Sequence, residues 1–505
     1  MLKQFIGLRH REKCDPDHTG VFTHLPASGV RHPANHDNLP PNKQLDSGNS
    51  MLKHFSFILA ISCLTANANA QSIEDEALDW LQAFVQVDTI NPPGNETRAV
   101  EFIAKILEAE GIPYQTAESA PGRGNLWARL EGGSEPALIM LQHTDVVPAD
   151  REYWTTDPLS GEIRDGYLWG RGTLDMKGTG ISQLATFISL HRAGVPLNRD
   201  VVLVATADEE AGGFYGAGWL VEHHPEIFAG AGLLINEGGN GEQSDKELLF
   251  NVEVTQKVPV WLRLTAVDTP GHGSMPNATS SVTRIVDALH ILRENPFEPR
   301  IVPAVDSMFQ SLSLSASPEW EEAYSNIASA IREPGFPEKL QSHSPFLHAL
   351  TRDTCSMTRM GASNKINVVP PEAWAEVDCR ILPDRPSEVF VDEMREMIKG
   401  TGVEIEVIMA FTPAVSPTNT VLYEAIEEVT AERHPGSRVM PSVASGFTDS
   451  HFTRDLGIPS YGFDPIVVPE AEFSRIHGND ERVNIEAFKR GVNDHLAIIA
   501  TVVYD

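Results

Sequence analysis

Five segments of this chain end an apolar run or a glycine turn in histidine or acidic residues. Leu141-Gln142-His143-Thr144-Asp145 follows the run Ala137–Leu141. Asp175 sits in Trp169-Gly170-Arg171-Gly172-Thr173-Leu174-Asp175-Met176-Lys177-Gly178. Asp208-Glu209-Glu210 follows Val201–Ala207 and leads into Gly212 and Gly213. Glu237 stands in Ile235-Asn236-Glu237-Gly238-Gly239, and His477 far downstream in Ile476-His477-Gly478-Asn479-Asp480-Glu481. Imidazole nitrogen and carboxylate oxygen are the donors that zinc-like cations take. Taken singly each segment reads more plainly: His-x-Asp as a surface turn, an acidic run as a solvated loop, one histidine as a structural residue. Together they invite a metal reading. His143-x-Asp145 then has a reason, because a metal-bound imidazole donates its other N–H to a carboxylate. Glu209 and Glu210 pose a problem, since adjacent side chains on extended backbone point apart. A tight turn, helped by Gly212 and Gly213, is needed if both are to act.

The elements that must position these groups alternate. Helical spacing covers Glu74–Val87, broken by Asn91-Pro92-Pro93-Gly94, and then Val100, Ile103, Ala104 and Leu107 up to Gly111. Short apolar runs at Ala137–Leu141, Val201–Ala207 and Gly232–Ile235 read as strands buried on both faces, with a helix over Ile181–Arg192. This is an α/β pattern with a largely parallel sheet, whose ligand sites gather at the carboxyl ends of strands. After about Val252 the texture changes. Val258–Val267 alternates, Ser280–Leu292 is helical, Ala373–Ile381 alternates, Val389–Ile398 is helical and Val403–Met409 is a strand, as in a small inserted α+β domain. From Thr412 the first texture returns, ending in the helix Ile485–Val503.

The 505 residues are enough for two or three domains, and 41% hydrophobic residues can fill a normal core. A net charge of −31 excludes the basic face that nucleic acid requires and disfavours anionic membranes. Met51-Leu52-Lys53-His54 opens a basic head, an apolar run to Ala66 and an A-x-A end at Ala68-Asn69-Ala70. Residues 51–70 therefore read as a secretory signal peptide cut before Gln71, too short to span a bilayer, and imply a secreted or periplasmic protein. Residues 1–50 read as a spurious or disordered extension. Cys355 and Cys379 remain beyond this leader; they either pair or stay as two buried thiols.

From about Ala77 to its end the chain resembles the aminoacylase, glutamate carboxypeptidase and succinyl-diaminopimelate desuccinylase family of two-zinc exopeptidases. The matching strings are Thr89-Ile90-Asn91-Pro92-Pro93-Gly94, His143-Thr144-Asp145-Val146-Val147-Pro148, Gly170 to Gly178, Asp208-Glu209-Glu210, Gly271-His272-Gly273-Ser274 and Asn367-Val368-Val369-Pro370. The resemblance implies an α/β zinc-exopeptidase (phosphorylase/hydrolase-like) catalytic domain over 71–252 and 412–505. An α+β, ferredoxin-like lid over 253–411, able to mediate a homodimer, would be inserted in it. It implies two Zn2+, with Co2+ or Mn2+ as substitutes: one held by His143 and Glu237, the other by Glu210 and His477, with Asp175 bridging. Glu209 would be the general base acting on a metal-bridging hydroxide, Asp145 would orient His143, and the peptide bond after Asp175 would be cis. His272, Asn367, Arg380 and Gly446 would bind substrate, Arg380 being apt for a carboxylate. Relatives with Glu at the position of Glu237 tend to act on acylated amino acids. The implied activity is hydrolysis of N-acyl amino acids or peptides with a free terminal carboxylate. A dipeptidase, an aminopeptidase and a non-catalytic metal- or peptide-binding relative are the alternatives.

Overall fold

A computed structural model describes residues 71–504 apart from Ser244 and Asp245. The proposed leader segments, 1–50 and 51–70, lie outside the described residues.

The apolar runs form the middle of an eight-stranded sheet. Its strands, in spatial order, are Tyr114–Glu118, Gly124–Leu130, Arg199–Thr206, Glu135–His143, Ala231–Gln243, Ser460–Pro469, Leu248–Gln256 and Arg438–Ala444. The four central ones, from Arg199 to Ser460, run parallel. The flanks mix directions: Gly124–Leu130 pairs antiparallel with both its neighbours, and Leu248–Gln256 antiparallel with Ser460–Pro469. Arg199–Thr206, Glu135–His143 and Ala231–Gln243 each divide their side chains between two cores, as the two-residue period requires. Leu138, Met140, Val201 and Leu203 face the helices Ile73–Val85, Lys177–Ala193 and Ile485–Val503. Ile139, Leu141, Val202 and Val204 face the helix Ala217–His223. Burial on both faces explains why these strands read as unbroken apolar runs.

The backbone leaves this sheet at Lys257 and enters a second one. Its order is Thr354–Gly361, Glu372–Ile381, Val258–Val267 and Val403–Ala410, antiparallel throughout. With the helices Ser281–Glu294 and Ser387–Met397 on one face, this is the βαββαβ arrangement of a ferredoxin-like domain. Val260, Leu262, Leu264 and Ala266 face those helices and explain the alternation. Two elements escaped the pattern. One is the edge strand Thr354–Gly361. The other is a run of five short helices between Pro303 and Ala349 with a separate core around Phe309, Trp320 and Leu340. Cys355 and Cys379 lie opposite each other on adjacent strands and are joined as a disulfide. Among the described residues no helix is long and apolar enough to cross a membrane.

Candidate metal centre

The chemistry-bearing segments meet at the carboxyl ends of the parallel strands. His143 is the last residue of its strand, and Glu237 lies on the neighbouring strand Ala231–Gln243. Asp175 precedes the helix Lys177–Ala193, and its peptide bond to Met176 is cis. His477 arrives from far down the chain. The strand Arg482–Asn484 pairs with Tyr167–Trp169, and buried Glu481 ties the two segments together. The Glu481 carboxylate takes Arg171 Nη1 at 2.5 Å and the N–H groups of Leu174 and Asp175 at 2.8 and 3.3 Å. Arg171 also donates to Gly478 O at 2.8 Å. Both residues stood in quoted strings, but nothing in their spacing marked them as the clamp.

The result is two groups of donors that share Asp175. His143 Nε2 stands 3.2 Å from Asp175 Oδ1 and 3.3 Å from Glu237 Oε1. His477 Nε2 stands 2.9 Å from Asp175 Oδ2 and 3.2 Å from Glu210 Oε2. Ligands about 2.0–2.1 Å from a tetrahedral ion lie roughly 3.3 Å from each other, so these separations fit a cation at each group. The two oxygens of Asp175, one per group, fit a bridge. His143 is buried and His477 half exposed, so the centre opens to solvent on the His477 side.

The electrostatics point the same way. Burial and nearby Glu237 push Glu209 well above the usual carboxylate range, and burial and Asp175 push Glu210 up to about 7. Glu237 is raised, first by burial. Burial works to lower His143, but Glu237, Asp145 and Asp175 outweigh it and raise the imidazole well above its ordinary value. Hydrogen bonds to Asp175 and Glu210 raise His477 to about 10. Glu209 Oε1 and Glu210 Oε1 are buried with no partner. Crowded carboxylates with buried, unbonded oxygens beside two imidazoles make a donor set that suits cations.

The turn carrying Glu209 and Glu210 is as tight as their adjacency demands. Asp208 has φ 72°, Gly212 113° and Gly213 70°. A Cβ at Gly213 would meet Phe452 at 2.7 Å, so glycine is needed there for space as well as backbone. Asp145 is buried beneath this turn and accepts from Glu209 N at 3.1 Å and Glu210 N at 3.2 Å. Its Oδ1 lies 3.4 Å from His143 Nδ1, whose closer neighbour is Asp145 O at 3.0 Å. Asp145 thus supports the turn as well as the imidazole. Asp449, with no role from sequence, is buried against the turn and accepts from Thr206 Oγ1 at 2.8 Å.

Among the described residues, none of the four expected substrate residues is bonded to a metal donor. His272 is exposed on a two-stranded ribbon, its Nδ1 bonded to Ser274 Oγ at 2.8 Å. Asn367 is exposed and its carbonyl accepts from Gly273 N at 2.9 Å. Arg380 pairs with Asp378 at 2.7 Å and lies over the Phe447 ring at 5.6 Å, while its Nη1 is buried without a partner. Gly446 is exposed with open space around it.

Comparison with known proteins agrees with this geometry. Residues 139–501 match the model of peptidase family M20/M25/M40. The N-fatty-acyl-amino acid synthase/hydrolase PM20D1 of Xenopus tropicalis is 32% identical over 447 residues, covering 85% of this chain and 86% of that protein. Human aminoacylase-1 is 25% identical over 84% of this chain and 95% of its own length. The M20 family metallo-carboxypeptidase Sso-CP2 of Sulfolobus solfataricus superimposes with a TM-score of 0.66 at 19% identity, over 84% of this chain and 98% of that one. With two donor groups of fitting geometry on this fold, the chain belongs to peptidase family M20/M25/M40 and is a hydrolase.

Proposed function

We propose that the protein hydrolyses the amide bond of N-acyl amino acids or blocked peptides that end in a free carboxylate, using two Zn2+. Its metals would be held by His143 and Glu237, by Glu210 and His477, and by Asp175 between them. A bound pair supplies Lewis acidity to the scissile carbonyl and acidifies a water. The observation that carries the reading is Glu209: buried, raised well above its usual range, with an unbonded oxygen, and one residue from a metal donor. Its carboxylate accepts the water proton and returns it to the leaving amine. The substrate class rests on the acyl-amino-acid relatives, on Glu rather than Asp at 237, and on the free Nη1 of Arg380, which suits a carboxylate.

The test is a panel of N-acyl amino acids, dipeptides and amino-terminal chromogenic amides on metal-quantified enzyme. Acyl amino acids should lead; cleavage of the chromogenic amides alone would overturn the choice. Glu209→Gln should keep its metal and lose about 10²- to 10⁴-fold in kcat. Unchanged turnover would remove Glu209 from the mechanism. We also propose export. The Cys355–Cys379 disulfide suits an oxidising compartment, and Gln71 as the first residue of the exported protein is the expected outcome of N-terminal sequencing.

A further inference from the structure

One matching string, Thr89-Ile90-Asn91-Pro92-Pro93-Gly94, found no use in the metal centre or in the proton transfer. Its place in the fold supplies one. Asn91 is buried directly behind the turn that carries Glu209 and Glu210. Its Nδ2 donates to Asp145 Oδ2 at 2.8 Å and to Asp208 Oδ1 at 3.3 Å. Its Oδ1 accepts from Arg123 Nη1 at 3.2 Å. One amide therefore uses both of its N–H groups on two carboxylates and its oxygen on a cation, a set that aspartate could not reproduce.

Arg123 completes the arrangement. It is buried and donates to Asp208 through Nη2 and to Pro93 O at 2.9 Å. Its Nη2 also lies 3.3 Å from buried Glu96. It is the cation that directly contacts two buried carboxylates, and it reaches a third, Asp145, through Asn91. Any Cβ at Gly94 would collide with this guanidinium, which explains the glycine that ends the string. On the other side, Asp208 accepts from Tyr215 N at 3.0 Å and holds the left-handed backbone that starts the turn. Asp145 holds the N–H groups of Glu209 and Glu210.

We infer that Asn91 and Arg123 are positioning residues. They brace Asp145 and Asp208 from behind so that Glu209 faces the reacting water while its neighbour Glu210 faces a metal. The inference rests on the proposed role of Glu209 as base, and it predicts an effect on rate and metal affinity, not on substrate binding. Supports of this kind are worth about 10- to 100-fold in metal affinity or activity, and small displacements of a reacting group reach about 100-fold.

The experiment compares wild type, Asn91→Ala, Asn91→Asp, Arg123→Lys and Glu209→Gln at saturating zinc, on whichever amide the wild type cleaves best. For each, kcat, KM, the thermal midpoint and zinc affinity by chelator competition are measured. Asn91→Ala removes no charge and should lower kcat about 10- to 100-fold with KM within about threefold. One of its two zinc equivalents should bind about tenfold more weakly. Asn91→Asp, with the same shape and the wrong charge, should be no better. Arg123→Lys keeps the charge without the fork and should fall between. Wild-type kcat in Asn91→Ala would overturn the brace. So would a loss that follows only the folded fraction, with the folded enzyme turning over normally. Should Asn91→Ala unfold, Arg123→Lys decides by the same two criteria. Full activity in Glu209→Gln would instead strike at the proposed base, so the two failures are told apart.

Discussion

Two sets of buried charges lie side by side in this protein, and they are treated differently. In the scaffold, buried carboxylates such as Glu253 and Asp353 meet guanidinium groups. Glu253 takes both Nη groups of Arg454 at 2.9 and 2.6 Å, and Asp353 takes Arg300 through two bonds at 3.0 Å as well as Arg385. In the metal centre Asp175, Glu209, Glu210 and Glu237 crowd one another with only His143 and His477 among them, and two oxygens bond to nothing. The first arrangement is complete as it stands, because fixed planar forks satisfy both oxygens. The second is a donor set suited to bound cations. Folding free energy from the rest of the molecule holds it open, as sites of this kind require.

Metal removal is the strongest way to test the contrast. A chelator should abolish turnover, and two equivalents of zinc should restore it. Burial raises Glu209 well above the usual carboxylate range and Glu210 to about 7, and a cation must displace the protons that such carboxylates hold. Metal binding at pH 6–7 should therefore release protons, and affinity should climb as pH rises; calorimetry in buffers of different ionisation enthalpy measures both. Binding without proton release would mean that the carboxylates are not crowded as described.

The scaffold pair should respond through stability alone. Arg454→Met leaves Glu253 fully buried beside an apolar side chain, and breaking such a pair costs about 3–5 kcal/mol. Denaturant unfolding should register that loss, while kcat of the folded enzyme stays within about threefold. A fall in kcat with little change in stability would place Arg454 in the metal centre's support and blur the distinction.

The metal centre was more legible in the sequence than the scaffold that surrounds it. His143, Asp175, Glu210, Glu237 and His477 are chemically scarce at strand ends, and their order along the chain carried the reading. Buried strands announced themselves as apolar runs, and the helix Ile485–Val503 by its period. The helices between Pro303 and Ala349 did not, because each is about three turns or fewer without a long amphipathic stripe, and three of the five begin on proline. Nor did the partners of the turn. Arg123 is separated from Asp208 by 85 residues and Arg171 from Glu481 by 310, and an arginine with a distant acid has no local signature. Arg380, Asn367, His272 and Gly446 were read from resemblance, and their own hydrogen bonds do not join them to the metal donors.

The smallest predicted effect separates histidines in the two regions. Those of the metal centre are raised by carboxylates, whereas burial alone lowers His495 to about 3. His495 is buried and its Nδ1 bonds Thr186 Oγ1 at 2.8 Å. The unfolded imidazole takes a proton below its ordinary value near 6.5, while the folded one resists until about pH 3. The unfolded state therefore binds the extra proton throughout that window, and stability is intact above about 6.5 and drains away as pH falls toward 3. The slope from this group is at most about 1.4 kcal/mol per pH unit. His495→Gln can keep a bond to Thr186 without titrating. Denaturant unfolding at pH 7 and pH 5 should show the wild type losing about 1–2 kcal/mol more than the variant across that interval. Equal losses would mean that His495 takes up its proton without unfolding, and that this part of the scaffold is less closed to water than its burial implies.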